Sequence, residues 1–483
     1  MLDAATDDAV HIYKSSNIQR FVDGTWSANN LVDNVWGHYY EGIRAANFYL
    51  KETAGLTFDE WKYSDDYEAI MKEFTNYQYE VRFLRAYFYF ELIKRYRNIP
   101  FVLDVLAQNE ANGVNPESYE KIAKFIVDEC SDLAQILPVN YDNFSTKEKG
   151  RVTRAAAMAL KSRVTLYMAS PLFSEDSEDK WKQAAEAAYD IIKQKTDLGL
   201  DLVPYPQIFN DVNNQKAEVI LYRPTGESGD FEKANFPIGV EGGKTSTCPT
   251  QNLMEAYDMK DGTPFVWNNQ SNPYDNRDPR MKYTIVCNEM KWPVDPVEIW
   301  EGGTNGLPLQ NATTTGYYLK KYVNNTISFE AGSTVTKKQH NWVLFRYGEI
   351  LLNYAEAMIN AFHDPNYKDA VYNMSAREAV NQIRGRTNIS LPGFPSDITE
   401  KDFVKRLKNE RRVELAFEGH RFWDVRRWKE LGQTANIYGV KITKNNEVIS
   451  YEKFLLETRA VTDNMYFYPI PNTEPVSYTH LRA

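Results

Sequence analysis

The chain has 483 residues, 43% hydrophobic and 25% charged, a globular balance that excludes wholesale disorder and leaves sequence for roughly two to four compact domains. A net charge of -10 excludes a general nucleic-acid binder, which needs a basic face. No run of about 18 apolar residues occurs, so no segment is long and apolar enough to cross a membrane as a helix.

The opening residues, Leu2, Asp3, Ala4, Ala5, Thr6, Asp7 and Asp8, are polar and carry no signal-peptide core. Helical periodicity begins at 34–51, with Val35, Tyr39, Ile43, Ala46 and Leu50 on one face. Residues 80–96 are denser in apolar side chains and stop before Asn98 and Pro100. An amphipathic stretch, 119–137, ends at Pro138, and 153–169 opens on Thr153 as a cap and ends near Pro171. Residues 180–195 follow, with Ala184, Ala185, Ala187 and Ala188 as small contact positions. The rhythm is helix-turn-helix and resembles tetratricopeptide-like pairing, in which each pair buries its face by stacking on the next.

Periodicity fades over 199–342, where Gly, Pro, Asn and Thr are frequent and short strands are expected at 218–222 and 282–286. An irregular region of this length is more often functional than ornamental. Helix returns at 345–361, 375–386 and 399–431, the last opened by a near capping box of Thr399 and Asp402. The end reads as hairpin-like strands at 438–442 and 466–471. The expected fold is mainly α. Residues 1–225 form a helical region with tetratricopeptide-like pairs, and 226–475 a loop-rich and then helical region with short strands. The tail at 476–483 reads as a cloning or assembly scar.

Three stretches carry a family resemblance. The first runs from Glu80 through Arg82, Leu84, Arg85 and Tyr87 to Leu92, with Asn98 and Pro100 behind it. The second runs from Arg346, Tyr347 and Glu349 to Glu356. The third is Glu410, Arg411, Arg412, Glu414, Phe417, Glu418, Gly419, His420, Arg421, Trp423, Asp424, Arg426, Arg427 and Trp428. Smaller pieces lie between and after them, at Asp261-Gly262, at Arg277 to Arg280 and at Tyr468 to Pro471. Together, and in this order, they resemble the SusD/RagB family over about residues 3–474. The resemblance implies a SusD-like fold. It implies capture of oligosaccharide at the outer face of an outer membrane and delivery to a SusC-like TonB-dependent transporter. It also implies an N-terminal lipid anchor, whose signal and cysteine this sequence lacks; its start is similar to sequence already downstream of that cysteine.

Chemistry is sparse. Phosphate-binding, dinucleotide-binding, zinc-protease and serine-hydrolase motifs are missing. Cys130, Cys248 and Cys287 are scattered and odd in number, which excludes a disulfide framework or a zinc ribbon. No cofactor, metal or catalytic residue is therefore assigned, and the chain is read as a non-enzyme, although 66 Asp and Glu leave a glycosidase-like carboxylate pair open. The Glu410/Glu414 face with its neighbouring arginines reads as structural, because Arg beside a carboxylate keeps it ionised and a poor proton donor.

The unusual number is 14% aromatic, with 32 Tyr and 10 Trp. Most should be core. A pyranose, however, binds where a ring covers its flat face and polar groups take its hydroxyls. Three loops have that composition. The first holds Trp61, Tyr63, Asp66 and Tyr67, in a region where family members often place ligand contacts. The second spans Trp292 and Trp300, and the third is Trp267 with its following Asn and Gln. Trp36, Trp423 and Trp428 sit in helical patterns and are assigned to packing. Peptide or glycopeptide cargo, a helical glycoside hydrolase and a protein scaffold remain as alternatives.

Overall fold

The computed structural model describes residues 2–473 except 108–109, 111–112, 147, 176, 269–271, 293–294 and 331–335; the tail at 476–483 and the two residues after Asn268 lie outside the described residues. Packing divides the chain into two units: Trp26–Leu200 with the segment from Asn464 onward, and Asp201–Asp463 with the segment ending at Thr25.

The first unit is built from helices Trp36–Thr53, Tyr67–Tyr96, Tyr119–Ile136, Arg154–Ala169 and Glu178–Lys193, each packed on the next in chain order. In Tyr119–Ile136 the Ser118 hydroxyl accepts the Lys121 N–H at 3.2 Å, and Ile122, Ile126, Cys130 and Leu133 form the buried stripe. Arg154–Ala169 is buried nearly all round, which its run of alanines permits, so it is the central helix against which its neighbours close. Its expected cap does not form: the Thr153 hydroxyl makes no capping hydrogen bond.

Tyr67–Tyr96 begins well before residue 80. Its first turns place Tyr67, Ile70, Met71 and Phe74 at helical spacing, a periodic signal that the expected start at residue 80 passes over, among the charged Glu68, Lys72 and Glu73. They are held also by Arg151, whose guanidinium reaches Glu73 at 2.6 Å and Glu80 at 2.5 Å and lies 4.0 Å from the Tyr141 ring centroid.

The second unit contains two-stranded antiparallel ladders: Ala9–His11 with Thr247–Pro249, Val219–Pro224 with Asn341–Arg346, Ile285–Val286 with Tyr318–Leu319, and the hairpin Asn436–Asn445 with Val448–Thr458. The strand expected at 282–286 is mostly the helical turn Met281–Thr284. The hairpin partner is Val448–Thr458, not 466–471.

Four longer elements follow the irregular region: Tyr347–Phe362, Ala376–Arg384, Glu400–Glu414 and Arg421–Arg427. Ser375 and Glu378 form a full capping box, while Thr399 accepts the Asp402 N–H and donates its hydroxyl to the Asp402 carboxylate. The expected continuous helix 399–431 breaks after Glu414, where Phe417 and Gly419 take positive φ values of 60° and 77°.

That break turns Glu418 inward and completes a buried ionic array. Arg346 meets Glu218 and Glu414 at 2.8 Å each and Glu418 at 2.7 Å, and Arg386 meets Glu414 at 2.8 Å. Arg280 joins Asp278, Glu410 and Glu414 at 2.6–2.8 Å, and Arg384 meets Glu410 at 2.7 Å. The N-terminal segment is tied in beside it: Arg412 binds Asp8 at 2.6 Å and Asp7 at 2.9 Å, and Arg421 binds Asp7 at 2.9 Å.

Candidate ligand-binding site

The loop between Thr53 and Tyr67 projects rings into solvent. Gly55 (φ 74°) turns the chain out of the first helix, and the short 3-10 turn Asp59–Trp61 follows. In 3-10 geometry side chains three apart eclipse. Phe58 and Trp61 accordingly stack, with centroids 6.0 Å apart and planes 21° apart. Phe58 in turn lies edge-on to Phe74 of Tyr67–Tyr96 at 4.9 Å. Trp61 is thus propped from behind while 53% exposed, and Tyr63 is 89% exposed.

Backbone bonds fix the turn: the Trp61 N–H donates to Phe58 O at 2.9 Å, and the Ser64 N–H and hydroxyl both donate to Trp61 O at 2.8 and 2.9 Å. The Tyr67 hydroxyl donates to Thr57 O, closing the loop on itself. Phe58 pays the conformational cost, at φ 48° in the left-handed region, uncommon for a bulky side chain. Asp66 occupies the N-cap position of Tyr67–Tyr96 but makes no capping hydrogen bond, so its exposed carboxylate faces water with those of Asp59, Glu60 and Asp65. A ring ledge edged by free carboxylates suits a ligand with a flat apolar face and a rim of hydroxyls.

Trp61, Tyr63, Asp66 and Tyr67 therefore come together on one loop. The other three candidates lie in the second unit. Trp292 is a correction to an exposed-loop reading: it is 3% exposed, edge-on to Phe236 at 6.1 Å with Lys320 Nζ 5.9 Å from its ring centroid, because its loop folds back through Trp292 N–H to Asp295 O. Trp300 is half-buried against the core under Lys444, whose Nζ is 4.2 Å from its ring centroid. Trp267 is half-buried beside Phe265, itself covered by Arg277 at 3.7 Å. Trp36, Trp423 and Trp428 are buried in packing roles. Sequence reading missed Phe58; its signal was the three-residue spacing to Trp61.

Acid-base chemistry finds little support in the buried charges. Burial would raise Glu414, but Arg386, Arg346 and Arg280 outweigh it and hold the carboxyl far below the usual range. Burial pushes the Cys248 and Cys287 thiols up to about 12, which makes them inert. Among the described residues no cluster of His, Cys, Asp and Glu is arranged to hold a metal ion.

Helix pairs in one unit and a loop-rich second unit define a mainly helical scaffold, and the first of them carries an exposed ring ledge. Residues 208–480 match the family described as the SusD family, and residues 1–166 match the one described as starch-binding associating with outer membrane. The chain belongs to the SusD family. It is similar to a SusD-like protein from Bacteroides fragilis, with a TM-score of 0.80 and 26% identity over 98% of this chain and 90% of that one. A SusD-like carbohydrate binding protein from the same organism gives 0.80 and 25% over 98% and 91%. SusD-like protein P2 of Formosa agariphila is 22% identical over 94% of this chain and 80% of its own length. The fold also matches that of a laminarin-binding SusD-like protein, with a TM-score of 0.66 and 20% identity over 99% and 91%.

Proposed function

We propose that this chain captures oligosaccharide at the outer face of an outer membrane and hands it to a SusC-like TonB-dependent transporter, making and breaking no bond. A lipid anchor ahead of the sequence given would hold it there. The observation that carries the reading is the Phe58–Trp61 stack: a tryptophan propped outward at 53% exposure is a surface kept open for a ligand. Ledge and carboxylates together favour a neutral glycan, whose hydroxyls donate to Asp66 and its neighbours. The laminarin-binding relative makes a β-glucan the first ligand to try.

Trp61→Ala tests this. By analogy with base stacking, one ring contributes about 1–3 kcal/mol, so affinity for the bound glycan should fall roughly 5- to 150-fold in calorimetric titration. The melting temperature should stay put, because an exposed side chain carries little fold stability. Product release from a polysaccharide would overturn the reading in favour of a hydrolase. Binding of peptide but no glycan would overturn it in favour of the peptide alternative.

A further inference from the structure

A second concavity lies wholly within the other unit and is used by nothing above. It is a cleft of about 410 Å³, inside the range of small-molecule pockets, with Phe209, Tyr283, Trp292 and Tyr322 among its walls and Lys320 and Asn324 as polar lining. Phe209 and Tyr322 meet edge-to-face at 5.0 Å, which fixes a rigid apolar wall. Tyr322 itself is held at φ 66°, a strained backbone for a bulky residue.

Two groups on this cleft are left wanting the same thing. Trp292 is 3% exposed, yet its indole N–H has no acceptor among the described residues. A buried donor without a partner is costly and calls for an acceptor. Lys320 is the second. Of the other cations there, Lys321 Nζ is committed to Glu418 at 2.9 Å and Tyr205 Oη at 2.9 Å, and Lys338 Nζ lies 3.4 Å from Asp211. His340 Nε2 lies 3.0 Å from a Glu232 carboxylate oxygen without a hydrogen bond between them, so a carboxylate already faces it. Lys320 has only the Met290 sulfur at 3.6 Å and the Trp292 ring at 5.9 Å, and no carboxylate within ion-pair distance among the described residues. An indole N–H and an uncompensated ammonium on one ring-walled cleft make a receptor for an anionic acceptor carried on a flat ring.

The geometry points to a second ligand site here, for a small ring-bearing carboxylate the size of one acidic sugar. It belongs to the other unit and shares no residue with the ledge, where the exposed carboxylates of Asp59, Glu60, Asp65 and Asp66 would repel the same anion. Lys320 pairs with the carboxylate, the Trp292 N–H donates to it, and the Phe209–Tyr322 wall takes the ring.

The test is calorimetric titration of the whole chain with sodium glucuronate, and with glucose as its uncharged counterpart. Glucuronate should bind at roughly millimolar concentration or below, and glucose at least about tenfold more weakly, the scale of one charged hydrogen bond. Lys320→Met should erase that preference while leaving the melting temperature and ledge binding of neutral glycan unchanged. In the unaltered protein the Trp292 indole N–H resonance, assigned through Trp292→Phe, should move on adding glucuronate. Glucuronate binding no tighter than glucose, a preference that survives Lys320→Met, or an unmoved Trp292 resonance would each overturn the proposal. Because the ledge is read through Trp61→Ala and this cleft through Lys320→Met, either can fail without the other.

Discussion

The Trp61 loop and the Arg346–Glu414 array are both rich in aromatic and charged side chains, and they put them to opposite uses. In the array every carboxylate meets guanidinium at salt-bridge distance and is shut away from water. In the loop the acids of 59–66 stand in water and the rings are turned outward. Charge that is buried and paired holds elements together; charge left exposed beside an open ring is available to a ligand. A dense Glu-Arg motif is thus the strongest signature in this sequence and a poor place to look for its activity.

The difference can be broken from the array side with the largest effect. Glu414→Gln leaves Arg346 and Arg386 facing a neutral amide in the interior. Losing one member of a buried charge cluster costs about 3–5 kcal/mol, expected as a large downward shift of the urea midpoint.

Acid attacks the same kind of bond more gradually. Burial opposes ionisation of Glu91, but Lys94 and Arg95 hold its pKa down to about 2; Arg427 does the same for Glu356, also to about 2, each from an ordinary 4.5. Both folded values lie below the unfolded ones. Their stabilisation is therefore complete above about pH 4.5 and drains away as pH falls through about 2. Each carboxyl contributes on the order of a few kcal/mol, so melting temperature should drop steeply across that window, while glycan binding above it stays flat.

The loop side gives the smallest and most discriminating change. Phe58→Asn suits the left-handed backbone but removes the ring behind Trp61. Stability should change little, the relieved backbone offsetting the lost Phe74 contact, while glycan affinity falls by about 0.5–1.5 kcal/mol, the value of an aromatic pair. If affinity were unchanged, the stack would be ornamental and Trp61 would act alone.

Much of the helical frame was legible because its buried faces repeat at helical spacing, as in Tyr119–Ile136. What escaped has physical reasons. The first turns of Tyr67–Tyr96 keep Ile70, Met71 and Phe74 only partly buried among charged neighbours and lean also on Arg151 from a distant segment. The strand Val448–Thr458 is largely solvated, so alternation did not mark it. Glu410 and Glu414 could be placed on one face, but their partners Arg280, Arg346 and Arg386 are long-range and carry no local signal. Trp61 and Trp292 sit in loops of similar composition; one is propped outward by Phe58 and the other packed under Phe236. Only the folded neighbours distinguish them.

The double clamp of Asp7 and Asp8 on Arg412 and Arg421, with Ala9–His11 laddered to Thr247–Pro249, has a mechanical side. A pull on the leading end of the chain meets several strong bonds at once rather than a slack leash. Tension applied ahead of Asp7 would be carried straight into Glu400–Glu414 through Arg412.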